Sequence, residues 1–339
     1  SSSGGIVNVI LKKGVNIGMT GSANAGFNQG RFGNQFVGLN LNYNQGRRSS
    51  YLNLNYTRRN TYEQIQTIRA FSTDSILRQY AYTTFPALIF YTGYGLGFEL
   101  SKIGDLNVDG RFSWNESNSS ASNINQISQI STDRLLSDNL NQIDGSNRLL
   151  SVTQGVTAKY KIDTLGSELI TDVSYNFMGN RGSQDFSTQY LRPESPRTSG
   201  DGDFDSQRNL LAVQVDLKYK LTKSITLETG TKVTWQQFNS RQDYFTWRLN
   251  QRVPDAGRTN AFDYRENINA AYAQISKSFG SFLLKGGVRL ENTNMDGHQR
   301  VPVDTAFKIN RADLFPYVYL SRRVAKVAGY ELRSYLVYR

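Results

Sequence analysis

Few residues in this chain have the types and spacing that covalent or metal chemistry needs. Its 339 residues include one histidine, His298, and no cysteine. The lack of thiols excludes cysteine nucleophiles, zinc–thiolate sites and disulfide scaffolds together. A multi-histidine metal site is excluded as well, and a Ser-His-Asp triad would rest on one histidine in Asp296-Gly297-His298-Gln299, a stretch that reads as a loop. Asp201, Asp203 and Asp205 have the alternate-carboxylate spacing that opens a calcium loop. That loop needs a bidentate Glu at its twelfth position, which counted from Asp201 is Ala212. Weak calcium binding is the functional reading of the triplet, and a solvated turn beside Gly200 and Gly202 is the simpler one. Gly93, Gly95 and Gly97 loosely resemble a phosphate cradle. A cradle needs a strand-to-helix turn, whereas these glycines alternate within one strand pattern, as small residues do on a crowded inner face.

The remaining candidates are charges set at every second position. Glu99, Asp109, Arg111, Asp172, Asp216, Lys218, Glu228, Lys285, Arg289 and Glu291 all alternate with apolar residues. They are expected on one face of a sheet, where they solvate a lumen and pair with each other, some of them touching a ligand or an inner domain. No carboxylate pair has the surroundings of an acid/base couple. The sequence therefore nominates no catalytic, cofactor-binding or metal-binding residue and leaves the substrate-contacting residues open. The protein is expected not to be an enzyme.

The elements that carry these charges explain the pattern. Leu39, Leu41 and Tyr43 alternate with asparagines, as do Leu52, Leu54 and Tyr56. Val213, Val215, Leu217, Tyr219 and Leu221 alternate with Gln214, Asp216, Lys218 and Lys220. Period 2 with one apolar and one polar face marks a strand. About 13 such strands follow residue 14. Short turns fall at Gly46-Arg47, Ile103-Gly104-Asp105, Asp163 to Gly166, Thr222-Lys223-Ser224, Gly280-Ser281 and Ala325 to Gly329. Between them lie long polar stretches at 58–90, 117–148, 180–207, 239–266 and 292–312, which read as loops. Strict alternation of short turns and long connections fits a transmembrane barrel with tight turns at one end.

Composition agrees. The AVILMFWYC set makes up only 38% of the chain, yet there are 20 Tyr, 18 Phe and 3 Trp. Disorder does not explain a polar chain so rich in aromatics. Mean hydropathy is −0.51, and no apolar run is long enough for a transmembrane helix. A lipid-facing sheet needs only half of each strand to be apolar. Tyr43, Tyr56, Trp114, Tyr160 and Tyr219 are candidates for the interfacial girdles. The net charge of +11 could suggest nucleic acid, but the only close basic pairs are Arg47-Arg48, Arg58-Arg59 and Arg322-Arg323, and no binding motif is present. Rim cations fit lipopolysaccharide phosphates or anionic substrates better.

Two regions carry a family resemblance. Residues 3–13, Ser-Gly-Gly-Ile-Val-Asn-Val-Ile-Leu-Lys-Lys, resemble the end of the plug domain of TonB-dependent outer-membrane receptors. The stretch from Phe262-Asp263-Tyr264-Arg265-Glu266-Asn267 through Gly287-Val288-Arg289-Leu290-Glu291 to Asp313-Leu314-Phe315-Pro316 is similar to the outer-membrane β-barrel family of Bacteroidota receptors. The resemblance implies an all-β fold: a transmembrane antiparallel up-and-down β-barrel, here partial, with about 13 of about 22 strands. It implies that residues 1–13 are the C-terminal end of a plug and 14–339 the N-terminal part of the barrel, within a longer receptor in the outer membrane of a Gram-negative bacterium. It further implies import of a scarce nutrient, a small ligand of unknown identity. The implied partners are the TonB-ExbB-ExbD complex, the barrel assembly machinery, outer-membrane lipids and lipopolysaccharide and, in some members, a surface lipoprotein lid. No cofactor is implied. Two rival readings stand beside this one: a plug-less porin or adhesin-type barrel, and a soluble lectin-like sandwich, which would need matching apolar inner faces.

Overall fold

The structure is a computed structural model that describes residues 18–71, 74–101, 103–249, 251–327 and 330–338. The plug-like segment 1–13 lies outside the described residues. The strands are β1 (Gly18–Gln29), β2 (Gly33–Gln45), β3 (Arg48–Phe71), β4 (Ser75–Ser101), β5 (Gly104–Gln129), β6 (Leu135–Lys161) and β7 (Glu168–Arg192). They continue with β8 (Glu194–Lys220), β9 (Ile225–Arg248), β10 (Gln251–Pro254), β11 (Asn260–Phe279), β12 (Phe282–Val301), β13 (Thr305–Val327) and β14 (Tyr330–Tyr338). All belong to one antiparallel sheet in which each strand pairs with the next, except that β9 pairs with β11 and the short β10 pairs only with β9. The thirteen strands of this path match the number that the alternation predicts.

The sheet hides no apolar layer. Among the described residues the buried hydrophobic side chains are Ala87 and Ala270 alone, while Leu96, Val156, Val173, Leu284, Val288 and Leu290 are between 37% and 52% exposed. A sandwich would cover such residues with a second sheet. Here they share one outward face. Cross-strand register aligns Leu106, Ala158, Thr171, Val215, Thr231, Ala271, Leu290 and Leu314 in one row from β5 to β13. Asp109, Asp172, Asp216, Glu228, Arg289 and Glu291 take the other face of the same strands, as the alternation requires.

The apolar band crosses these rows obliquely. At the end away from the short turns, its last large outward side chain is Trp114 on β5 but Leu314 on β13, and the row through Leu314 meets β5 at Leu106. The band therefore slips by the eight residues between Leu106 and Trp114 over seven strand-to-strand steps. At about 3.3 Å per residue and about 4.8 Å between strands this is a tilt of about 40°, within the range of transmembrane barrels. On β8 and the residue that follows it, the outward apolar run from Leu211 to Leu221 spans about 33 Å along the strand direction and, so tilted, about 25 Å along the membrane normal. The five girdle candidates all face outward, Tyr56 and Trp114 at one edge of the band and Tyr43, Tyr160 and Tyr219 at the other. Phe279 and Phe282 stack at the turn-side edge, with centroids 5.6 Å apart.

The first five short turns lie where the sequence places them; the sixth, expected at Ala325 to Gly329, falls partly outside the described residues, and β13 runs on to Val327. Gly46 and Gly280 turn the chain at φ of +61° and +60°, which a side chain rarely permits. In the β6–β7 turn, Asp163 Oδ1 accepts hydrogen bonds from the backbone amides of Leu165, Gly166 and Ser167 at 2.8, 3.0 and 2.9 Å.

The long polar stretches are not loops. β3 to β9 run for 24 to 27 residues each, where a tilted crossing needs about 9–11. The surplus lies at the end away from the short turns, as hairpins that stay paired to their tips: Phe71 with Ser75, Ser128 with Leu135 and Leu191 with Glu194. Beyond the hydrocarbon both faces meet water, so runs such as Ser117-Asn118-Ser119-Ser120 pair in register with no apolar face to betray a strand.

Val215 and Asp216 test the assignment of faces. Val215→Arg puts a charge on the lipid face and is expected to cost about 2–4 kcal/mol if near the midplane, depleting the protein from the outer membrane. Asp216→Asn, on the inner face, should leave membrane levels near normal. Quantitative blotting of outer-membrane fractions reads both, and equal losses would refute the assignment.

Candidate functional site

What a barrel can do is set by its inner wall. Within the membrane band that wall is a polar network. Asp216 accepts from Tyr272 Oη at 2.7 Å and from Gln214 Nε2 at 2.6 Å. Asp172 accepts from Thr157 Oγ1 at 2.6 Å, and Glu228 accepts from Gln274. Arg289 pairs with Glu291 at 2.8 Å, and Lys159 and Lys218 flank Glu168 at 2.5 and 4.0 Å. The charges that the sequence sets on the inner face are thus largely bonded to wall neighbours. They give a hydrated surface with both signs of charge rather than a convergent site. Gly95 and Gly97 hold part of this wall flat: a Cβ on Gly95 would lie 2.1 Å from the Tyr51 ring, and one on Gly97 2.4 Å from Ser49 Oγ. Their role is close packing, as the strand context predicts.

Further out the inner wall changes character. The row Arg208, Phe238, Tyr264, Gly297, Phe307 runs from β8 to β13. Phe262 stacks on Tyr264 with centroids 6.4 Å apart, and Met295 and Ile309 continue the patch one row toward the membrane. Gly297 lets the Phe307 ring lie on the sheet, since a Cβ there would fall 2.2 Å from it. Phe307 and Ile309 stay 46% and 40% exposed. Polar groups rim the patch: Tyr264 donates to Glu266, and Arg208 donates to Gln236 at 2.8 Å. On the same face of β5 to β7, Oδ1 of Asn115, Asn147 and Asn180 is buried with no hydrogen-bond partner among the described residues. Aromatic faces with a few polar groups around them are what ligand-binding surfaces are built from. The sequence reading missed this patch, because its residues come from stretches taken for loops. The alternation Phe262-Asp263-Tyr264-Arg265-Glu266 was the available signal.

Two other candidates are corrected. Asp201, Asp203 and Asp205 lie on a strand, β8, rather than in a loop, and oxygens of Asp201 and Asp205 are committed elsewhere. Asp201 Oδ1 accepts from Trp247 Nε1 at 2.9 Å, its Oδ2 accepts from Arg252 Nε at 2.9 Å, and Asp205 pairs with Arg181 at 2.5 Å. His298 sits near the end of β12 instead of in a loop, with Nε2 2.7 Å from Asp304 Oδ1.

An outward face that is apolar over a membrane's thickness, an inner face of paired charges and hairpins extending beyond the membrane together define an outer-membrane barrel wall. The chain belongs to the outer membrane protein beta-barrel family, whose profile matches residues 160–338. That match covers just over half of the chain, from the end of β6 through β14, and places the protein in the outer membrane of a Gram-negative bacterium. A comparison with curated proteins finds no match.

The Asp201 cluster lies in the extended hairpins, well outside the membrane, and is testable by pH. Its hydrogen bond from Arg252, then that cation's charge and the bond from Trp247, hold the Asp201 carboxyl below its ordinary value. A depressed carboxyl stabilises the folded state at pH above its unfolded value, and that contribution is lost as pH falls through the folded value. Amide exchange of residues 251–253, corrected for intrinsic rate, should hold steady down to the ordinary carboxylate range and rise below it. Asp201→Asn should abolish that step.

Proposed function

We propose that the chain forms part of the barrel of a TonB-dependent receptor of the Bacteroidota type, which takes up a scarce nutrient across the outer membrane. The observation that carries this reading is the breadth of the wall. Among the described residues thirteen strands already pair in sequence in one sheet, a wall broader than that of the small eight-stranded outer-membrane barrels. Edges must be paired in hydrocarbon, and large outer-membrane barrels are the ones that house a plug. The segment at residues 1–13 fits the end of such a plug. In this reading the nutrient meets the extended hairpins and the patch around Tyr264 and Phe307. The inner-membrane TonB-ExbB-ExbD complex then displaces the plug, and the cargo passes the hydrated wall. The protein binds and moves its ligand without covalent chemistry.

Energy coupling tests this. Once a growth screen of a deletion strain has identified the nutrient, its uptake should stop when a protonophore is added or TonB is deleted. Uptake that survives both would assign the plug-less porin-type barrel instead. Tyr264→Ala and Phe307→Ala should each weaken surface binding of the nutrient by about 0.5–1.5 kcal/mol, or about 2- to 12-fold, at unchanged outer-membrane levels. Unchanged affinity in both variants would remove the patch from the transport path.

A further inference from the structure

A long strand edge stands open outside the membrane. β2 last pairs with β3 at Gln35 and Arg58, while β3 runs on to Phe71, paired with β4 alone among the described residues. Residues 61–71 therefore form an edge about 35 Å long, and all of them but Thr67 are exposed. β9 also outlasts its neighbour β11, but there β10 covers residues 245–248. Natural edges are blunted by lysine, proline, a bulge or such a cover. Residues 61–71 contain no lysine and no proline, and their register with β4 is unshifted. Ile65 on the inner face and Ile68 on the outer are 46% and 72% exposed, at a level that lipid does not reach.

The β1–β2 turn fixes the floor of this edge. Asn34 Oδ1 accepts from the Asn60 backbone N–H at 2.5 Å, and Asn60 Nδ2 donates to the Gly33 carbonyl at 2.6 Å. The Arg31 guanidinium lies 4.8 Å from the ring centroids of both Tyr62 and Tyr82. Asn60 thus points its N–H away from β4. On the other side, the carbonyl of Arg47 accepts from Glu99 N–H of β4 at 2.8 Å. Backbone direction alternates along an antiparallel strand, so odd residues of β3 bond to β4. Tyr62, Gln64, Gln66, Ile68 and Ala70 then aim their N–H and C=O groups at the open side.

We propose that this edge takes up an extended segment of a partner protein as an added strand. Main-chain hydrogen bonds supply the affinity in such pairing, and side chains select the partner. Glu63 and Arg69 share one face six residues apart, and among the described residues neither makes an ion pair. An antiparallel segment meets both charges when it carries an acid followed six residues later by a base. Apolar residues opposite Ile65 and Ile68 complete the fit. A second copy of the chain does not fit. Two copies in one membrane are related by an axis along the membrane normal, so their β3 edges run parallel and Arg69 never comes opposite Glu63. The edge lies in the wall rather than the lumen, and its use is independent of transport.

The experiment purifies the protein from outer membranes in mild detergent and follows a fluorescent peptide by anisotropy. The probe has the sequence of residues 59–71, whose own glutamate and arginine carry the required spacing and which, as a free peptide, can run antiparallel. Wild type should bind it saturably. Gln66→Pro removes an N–H from the open side alone and should weaken binding at least about tenfold, at unchanged outer-membrane levels. Glu63→Arg should weaken it about two- to fivefold, and a peptide with its arginine exchanged for glutamate should restore it. A peptide N-methylated at its Gln66 should fail to bind wild type, whereas one N-methylated at its Ile65 should bind. That pair of probes gives the same reading if Gln66→Pro does not reach the membrane. No binding by wild type, equal binding by Gln66→Pro, equal binding of the two methylated peptides or no rescue by the exchanged charge would each overturn the proposal. A wild-type dimer that Gln66→Pro turns into a monomer would overturn it too, by assigning the edge to a second copy.

Discussion

Hydrocarbon offers the backbone no hydrogen-bond partner, and the rest of this structure follows from that. Within the band every amide and carbonyl must be satisfied by a neighbouring strand. The solution here is a meander in which each long strand hydrogen-bonds to the next. Once the backbone is committed to the sheet, side chains have only two directions to point. Lipid takes one and water takes the other, so alternation at period 2 is a consequence and not a separate device. The same logic explains why only Ala87 and Ala270 are buried hydrophobic residues among those described. The apolar surface is covered by solvent of another kind, not by a protein layer.

Beyond the band the constraint relaxes but the strands continue. Water could satisfy the backbone there, so the pairing of the extended hairpins has to be maintained by other means. Side chains supply some of it: Asn125 Nδ2 donates to Asn139 Oδ1 at 3.0 Å across β5 and β6, and Ser146 and Ser183 bond at 2.9 Å across β6 and β7. At the β3–β4 tip, Asp74 accepts from the Ser131 backbone amide at 2.9 Å and from Gln129 Nε2 at 3.1 Å, joining two hairpins. These bonds hold its carboxyl below the ordinary value, that of the Ser131 hydroxyl foremost. The hairpins form a paired wall outside the membrane, and the inner aromatic patch is mounted on it.

The legible parts of the sequence were those that lipid imposes. Val215 beside Asp216, and Leu290 between Arg289 and Glu291, fix their faces without coordinates, because a one-residue error would put charge into lipid. Tyr43, Tyr56, Trp114, Tyr160 and Tyr219 could be set at the band's edges for the same reason. The continuation of the strands through 117–148 was hidden because both of its faces meet water. His298 was read as a loop residue on the same ground. Contacts fixed by register were also out of reach: Asp201 finds Arg252 fifty-one residues away, and Phe238, Tyr264 and Phe307 become neighbours only once three strand registers are known.

Tilt ties these observations together. Because the strands lean by about 40°, a hydrogen-bonded row does not stay at one depth. The row that starts at Phe112 and Val152 within the hydrocarbon passes Phe177 and Asn209 and ends at Arg265, Asp296 and Lys308. Over its seven steps it climbs by about 20 Å. Residue type changes along the row as depth does: aromatic and aliphatic, then amide, then charged. A sheet without tilt would place all eight positions at one level, and this sequence would then put Arg265 and Lys308 in lipid or Phe112 in water. The lean that lets a barrel close is therefore also what sets the order of residue types along each row.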